Sequence, residues 1–144
     1  MKRLVVDASV ALKWYLSDEE HGEKALDILD GHVSDRLSLL APALLEFEVA
    51  NALIIAKRRG RVGEEDALKA MEGFADLGIG FYPLAHLFKR MPAYCDHHNI
   101  SAYDAAYIVL ADDLKVDLLT ADKRLFNSTR KLKFVKWIGE FGMP

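Results

Sequence analysis

The chain has one cysteine, Cys95, so it can form no internal disulfide, and that scarcity fits a reducing, cytoplasmic setting. It has no surplus of basic residues. With 19 Lys and Arg against 22 Asp and Glu the formal charge is -3, which argues against a dedicated duplex-DNA binder while leaving room for local basic patches. No apolar run approaches the roughly 20 residues that cross a bilayer, so no membrane association is expected. The basic opening MKRLVVD does not read as a signal peptide, because Asp7 interrupts its apolar stretch too early. Internal repeats, linkers and low-complexity tracts are also missing. What is present is 144 residues, 51% of them hydrophobic, which is enough for one packed core. The expectation is a single domain spanning residues 1–144.

Apolar runs and their breakers set out the elements. Residues 3–6, 37–41, 79–84, 118–120 and 134–138 read as short Val/Leu/Ile-rich strands, the last of them an edge. Helical spacing covers 8–16, a more polar 19–29 that Gly31 breaks, 43–59 stopped at Gly60, and 64–77 followed by Gly78. Residues 85–98 are helical with a kink or break at Pro92, and the near-continuous apolar run 102–111 is another helix. Short strands alternating with helices argue for an α/β fold with a central parallel sheet of four or five strands, covered on both faces. In open sheets of that kind, sites form beyond the carboxyl ends of the strands, where the strand order switches.

That rule draws attention to carboxylates. Asp7 ends the first strand, Asp122 follows the fourth, and Asp104 lies one turn into the helix that leads to the fourth. Each alone has an ordinary explanation: Asp7 and Asp122 suit helix N-caps, and Ser101-x-x-Asp104 resembles a capping box. Glu48 has no cap to make. At about 100° per residue it falls among Leu44, Leu45, Ala52, Ile55 and Ala56, while Glu46 points roughly 200° away, near Lys57. Its ordinary alternative is a buried salt bridge. Asn51, one turn on, shares the face of Glu48 and can hydrogen-bond a carboxylate or a phosphate. Four carboxylates gathered at one sheet edge repel one another unless a proton or cation intervenes. An all-oxygen acidic set selects Mg2+ or Mn2+, and such an ion supports in-line displacement at a phosphodiester.

Val5-Val6-Asp7-Ala8-Ser9, Glu48-Val49-Ala50-Asn51-Ala52-Leu53, Tyr103-Asp104-Ala105-Ala106-Tyr107 and Leu119-Thr120-Ala121-Asp122 follow one another in the order and approximate spacing of PIN-domain ribonucleases. Over almost its whole length the chain resembles the VapC-type toxins of toxin–antitoxin pairs. The resemblance implies a three-layer α/β/α fold and an endonuclease that cleaves single-stranded RNA. It implies Mg2+ or Mn2+ bound by Asp7, Glu48, Asp104 and Asp122, with Ser9, Asn51 and Thr120 as supporting polar groups. It also implies a homodimer restrained by a small antitoxin.

Basic residues cluster at Lys57, Arg58, Arg59 and Arg61, where they complement a helix dipole, and again at Lys123, Arg124, Arg130, Lys131, Lys133 and Lys136. The second group follows Asp122 and is placed to grip phosphates beside an acidic site; Lys123 and Arg124 are the first candidates for RNA contact. His97 and His98 point about 100° apart on a helix and read as a surface pair rather than a chelate. Trp14, Tyr15, Phe47, Phe74 and Phe81 are core or dimer contacts, and Asp112-Asp113 face solvent. Two other classes compete. A non-catalytic RNA- or protein-binding module of the same fold is disfavoured, since binding a polyanion gains nothing from repelling carboxylates. A phosphoacceptor receiver domain needs an acceptor Asp ending its middle strand, where Pro42 and Pro83 stand instead.

Overall fold

Leu4–Val6, Leu39–Ala41 and Leu118–Thr120 have no polar face to offer water beyond Thr120, and all are buried. They form the middle of a parallel sheet in the computed structural model, which describes residues 1–16 and 20–144. The strands are β1 (Lys2–Val6), β2 (Leu37–Pro42), β3 (Gly80–Tyr82), β4 (Asp117–Thr120) and β5 (Val135–Trp137), in the order β3-β2-β1-β4-β5. Every pairing is parallel. The chain winds outward from β1 to β3, then returns to the other side of β1, so the order switches between β1 and β4.

Helices cover both faces and complete a three-layer α/β/α arrangement. They are α1 (Ala8–Ala11), α2 (Gly22–Val33), α3 (Leu44–Arg58), α4 (Glu64–Ala75), α5 (Met91–His98), α6 (Ala102–Leu114) and α7 (Lys123–Ser128). Short 3-10 segments lie at Leu12–Trp14, Ala85–Arg90 and Ile138–Glu140. The apolar run in α6 is buried without interruption from Ala105 to Ala111, because this helix packs on β1, β2 and β4 together. Gly60 and Gly78 both adopt φ 73°, the left-handed conformation expected just past α3 and α4.

Several boundaries differ from the sequence reading. Gly31 does not break α2 but lies inside it, where a Cβ would meet Leu37 at 3.2 Å and the end of Met143 more closely still. Close packing, rather than a turn, explains that glycine. The expected start of this helix at Glu19 lies outside the described residues. The break expected at Pro92 within residues 85–98 is present: the 3-10 segment Ala85–Arg90 gives way to α5 at Met91, and Pro92 sits in the first turn of α5, where its missing N–H is not needed. The six residues of α7 are too few for a periodic signal, and they follow β4 directly. Of the aromatic residues read as core or dimer contacts, Trp14 and Phe74 are buried and Phe47 is 76% exposed. Asp112 and Asp113 do not simply face solvent: Arg90 pairs with both, at 2.7 and 3.1 Å, and Tyr94 donates to Asp112 at 2.5 Å.

Candidate functional site

The switch between β1 and β4 places Asp7 and Asp122 side by side, one beyond each strand. Both are also caps. The Asp7 side chain accepts from the Ser9 backbone N–H at the start of α1, and Asp122 accepts from Leu125 N–H at the start of α7. Ser101 likewise caps α6 by accepting from Asp104 N–H at 3.1 Å. The capping explanation therefore holds for Asp7 and Asp122, whose carboxylates it orients, while at Asp104 the cap is the Ser101 hydroxyl.

Asp7 is only 5% exposed. Its Oδ1 accepts from Ser9 N at 3.0 Å and from Ser9 Oγ, and its Oδ2 accepts from Thr120 Oγ1 at 2.6 Å. The Val10 backbone N–H also bears on this carboxyl. The two hydroxyls are themselves held. Ser9 Oγ accepts from Ala121 N at 2.8 Å, and Thr120 Oγ1 accepts from Asp122 N at 3.0 Å. Thr120 is thus the tie between the two strand-end carboxylates. Burial pushes the Asp7 carboxyl up to about 6 despite these donors, and the charge of Asp122 adds to the rise.

Glu48 and Asp104 enter from the helical layers. The buried stripe of α3 is Leu45, Val49, Leu53 and Ala56, so Glu48 sits at its border, half-buried, and Ile55 turns outward. The salt bridge considered for Glu48 is not what holds it. Tyr107, on the buried side of α6 and 2% exposed, donates its hydroxyl to Glu48 Oε1 at 2.5 Å. Burial raises the pKa of Glu48, the Tyr107 hydrogen bond opposes that, and the Asp104 charge raises it further. Asp104 is raised too, by burial and by Asp122, with Arg124 pulling the other way. Arg124 Nη2 stands 3.5 Å from Asp104 Oδ2 and 4.0 Å from Asp122 Oδ2.

Of the residues singled out from the sequence, Asp7, Ser9, Thr120 and Asp122 form one bonded cluster, and Asp104, Glu48 and Arg124 are coupled to it through charge. Asn51 does not join them: it is exposed and its side chain makes no hydrogen bond among the described residues. Glu46 is exposed, as the helical spacing indicates. Tyr107 was missed. It lies three residues after Asp104, which puts both on one side of α6, and it is the one hydroxyl in a run of apolar positions.

The donor set suits a hard cation. All the oxygens come from carboxylates and hydroxyls, and three carboxylates are raised partly by a neighbouring charge, that of Asp122 on Asp7 and Asp104 and that of Asp104 on Glu48. Among the described residues no three acidic, His or Cys side chains close around a single point.

A model of the PIN domain matches residues 4–132, a span that contains the sheet through β4 and all four carboxylates. Ribonuclease VapC9 of Mycobacterium tuberculosis is 36% identical over 122 residues, covering 85% of this chain and 87% of its own. Among solved structures, PAE2754 from Pyrobaculum aerophilum has the same fold, with a TM-score of 0.68 at 21% identity, covering 96% of this chain and 85% of that one. VapBC2 from Rickettsia felis, bound to a DNA fragment from their promoter, gives a TM-score of 0.64 at 8% identity, covering 94% and 96%. The switch-point carboxylates, the matched span and the shared identity agree, and this chain belongs to the PIN-domain family, among the VapC ribonucleases.

Proposed function

We propose that residues 1–144 act as one domain, a cytoplasmic endoribonuclease toxin that cuts single-stranded RNA with Mg2+ or Mn2+ held by Asp7, Glu48, Asp104 and Asp122. The observation that carries this reading is Asp7: a buried carboxylate held by Ser9 and Thr120, facing a second carboxylate across the switch point. A divalent ion bound there lowers the pKa of water and offsets the phosphate charge. Among the described residues the two hydroxyls beside these groups, on Ser9 and Thr120, both donate to Asp7 and serve to orient it. Water is then the attacking group. Thr120 and Ser9 hold Asp7 in one orientation, and Tyr107 does the same for Glu48. Arg124, 68% exposed at its side chain, and Lys123 beside it are placed to meet phosphate oxygens.

The partners follow from surface chemistry. Phe47, Ile54 and Ile55 on α3 and Leu68 on α4 are exposed large apolar residues. Val49, Ala50, Met71 and Phe74 line a groove of about 330 Å³ beside Phe47. Apolar surface of this kind marks protein contact, and we assign it to a second copy of the chain and to a small antitoxin. With a net charge of -3, promoter binding like that of VapBC2 falls to the partner rather than to this chain.

The test is cleavage of a labelled single-stranded RNA with Mg2+ or Mn2+, before and after excess chelator, by the wild type and by Asp104→Asn. Activity should vanish with the ion and fall sharply in the variant; cleavage that survives both changes overturns the assignment. Calorimetric titration with Mn2+ separates out the passive alternative, which binds no divalent ion.

Tyr107→Phe probes the same site without touching a proposed ligand. It removes one hydrogen bond from Glu48 and leaves the ring in place, so Mn2+ affinity should weaken by about 10–100-fold, as for other outer partners of metal ligands. Unchanged affinity, read by calorimetry on the folded variant, would show that Tyr107 serves packing alone.

A further inference from the structure

From Lys123 to Gly139 the sequence contains six cations and no carboxylate, on a chain whose net charge is -3. The fold gathers this segment around a cleft of about 530 Å³ beside the edge strand β5. Its walls carry Lys2, Arg130, Lys133 and Lys136, against the two carboxylates Asp117 and Glu140. Lys133 and Lys136 are exposed and form no ion pair among the described residues. Their charge is therefore available to a ligand rather than spent within the protein.

Aromatic rings stand among these cations. Phe126, Trp137 and Phe141 line the cleft. Lys123 Nζ lies 4.6 Å from the Trp137 ring centre and 5.4 Å from that of Phe126. The Arg130 guanidinium lies 4.9 Å from the Phe126 centre, and Lys2 Nζ lies 5.4 Å from that of Phe141. Cations parked over rings are held by cation–π attraction and can turn to a phosphate when one arrives.

One wall of the cleft adjoins the switch point, although no switch-point residue lines it. Trp137 is the register partner of Thr120, one strand spacing (about 4.8 Å) from the residue that ties Asp7 to Asp122. Phe126 belongs to α7, which Asp122 caps. Asp117 lies at the opposite end of β4, so its charge faces the far end of the cleft rather than the catalytic edge. Cations interleaved with rings, leading away from a phosphodiester site, are what a single-stranded nucleic acid track requires: charge for the backbone and flat faces for unpaired bases.

We infer that this cleft binds the single-stranded RNA flanking the scissile phosphate, with Lys133 and Lys136 on the backbone and Trp137 contacting a base. The inference rests on the ribonuclease reading and adds to it a binding track outside the carboxylate cluster. It predicts that long substrates gain from the cleft while very short ones do not reach it.

The experiment compares kcat/KM on a twelve-nucleotide RNA and on a trinucleotide, for the wild type and for Lys133→Gln/Lys136→Gln. The long-to-short ratio should drop about tenfold or more in the double variant. The salt dependence of long-RNA binding should become shallower by about 1.4, twice the ≈ 0.7 per phosphate contact of single strands. Lys69→Gln, an exposed charge on α4 away from the cleft, should leave the ratio as it is. RNA should also quench tryptophan fluorescence through Trp137, because Trp14 is core; Trp137→Phe should abolish the quench. An unchanged ratio and salt slope, with wild-type cleavage intact, overturns the track and leaves the ribonuclease reading standing. A wild type that cuts neither RNA overturns both.

Discussion

Replacing Asp7 with asparagine should lower RNA cleavage by at least about a thousandfold, or roughly 4 kcal/mol of transition-state stabilisation, while the protein stays folded. Asn keeps the shape and one carbonyl oxygen, so Ser9 N and Ser9 Oγ still find their acceptor. Its NH2 faces Thr120 Oγ1, a hydroxyl that can turn to accept. What is lost is the charge, and with it the site's most buried anionic donor. The measurement pairs initial cleavage rates with a denaturant midpoint. If the rate falls less than about tenfold, Asp7 is a helix cap and nothing more.

The same residue should make the metal-free protein less stable as pH rises. Its pKa in the fold is about 6 against an ordinary 3.8. A group raised by folding contributes its stability in full below the unfolded pKa and loses it as pH climbs through the folded one. Between about pH 4 and pH 7 the loss from Asp7 amounts to about 2.4 kcal/mol, out of about 3 over the whole titration. Glu48 and Asp104, also raised, act in the same direction. In the Asp7→Asn variant this share is absent, so the stability difference, variant minus wild type, should grow with pH while contributions from other groups cancel. Adding Mg2+ or Mn2+ should close that gap, because an ion that binds the ionised native site stabilises it by mass action. Denaturation midpoints from pH 4 to 7.5 settle the matter, and a difference that stays flat with pH sinks the idea. The acidic centre thereby trades stability for function, as sites built for charge commonly do.

Much of this site was legible in the sequence, for physical reasons that differ by residue. Asp7 and Asp122 follow strands too apolar to be anything but buried, so a charge at their ends stands out. Glu48 stood out because a charge near an apolar helix face has no local excuse. Tyr107 was hidden by the opposite circumstance: in a run from Ala105 to Ala111 that is buried on every side, a tyrosine looks like more core. Only the fold, which brings Glu48 of α3 within reach of α6, shows what its hydroxyl meets. Asn51 misled because one turn of spacing says which side of a helix two residues share, not how far out that side lies. The glycine in α2 departs from its expected role as a breaker for a related reason: it answers to neighbours distant in sequence, Leu37 and Met143.

The bond from Thr120 to Asp7 spans 113 positions of sequence. During synthesis at about 5–20 residues per second, the first of these two residues waits roughly 6–20 s for the second to be made. Until then β1 has no β4 beside it, Asp7 lacks its Thr120 donor, and Asp104 and Asp122 do not yet share an edge with it. A growing chain is therefore unable to assemble its own cutting edge on the ribosome, which is itself largely RNA. The parallel topology delays activity to the last part of synthesis, and that interval favours any partner that recognises the earlier α3–α4 surface first.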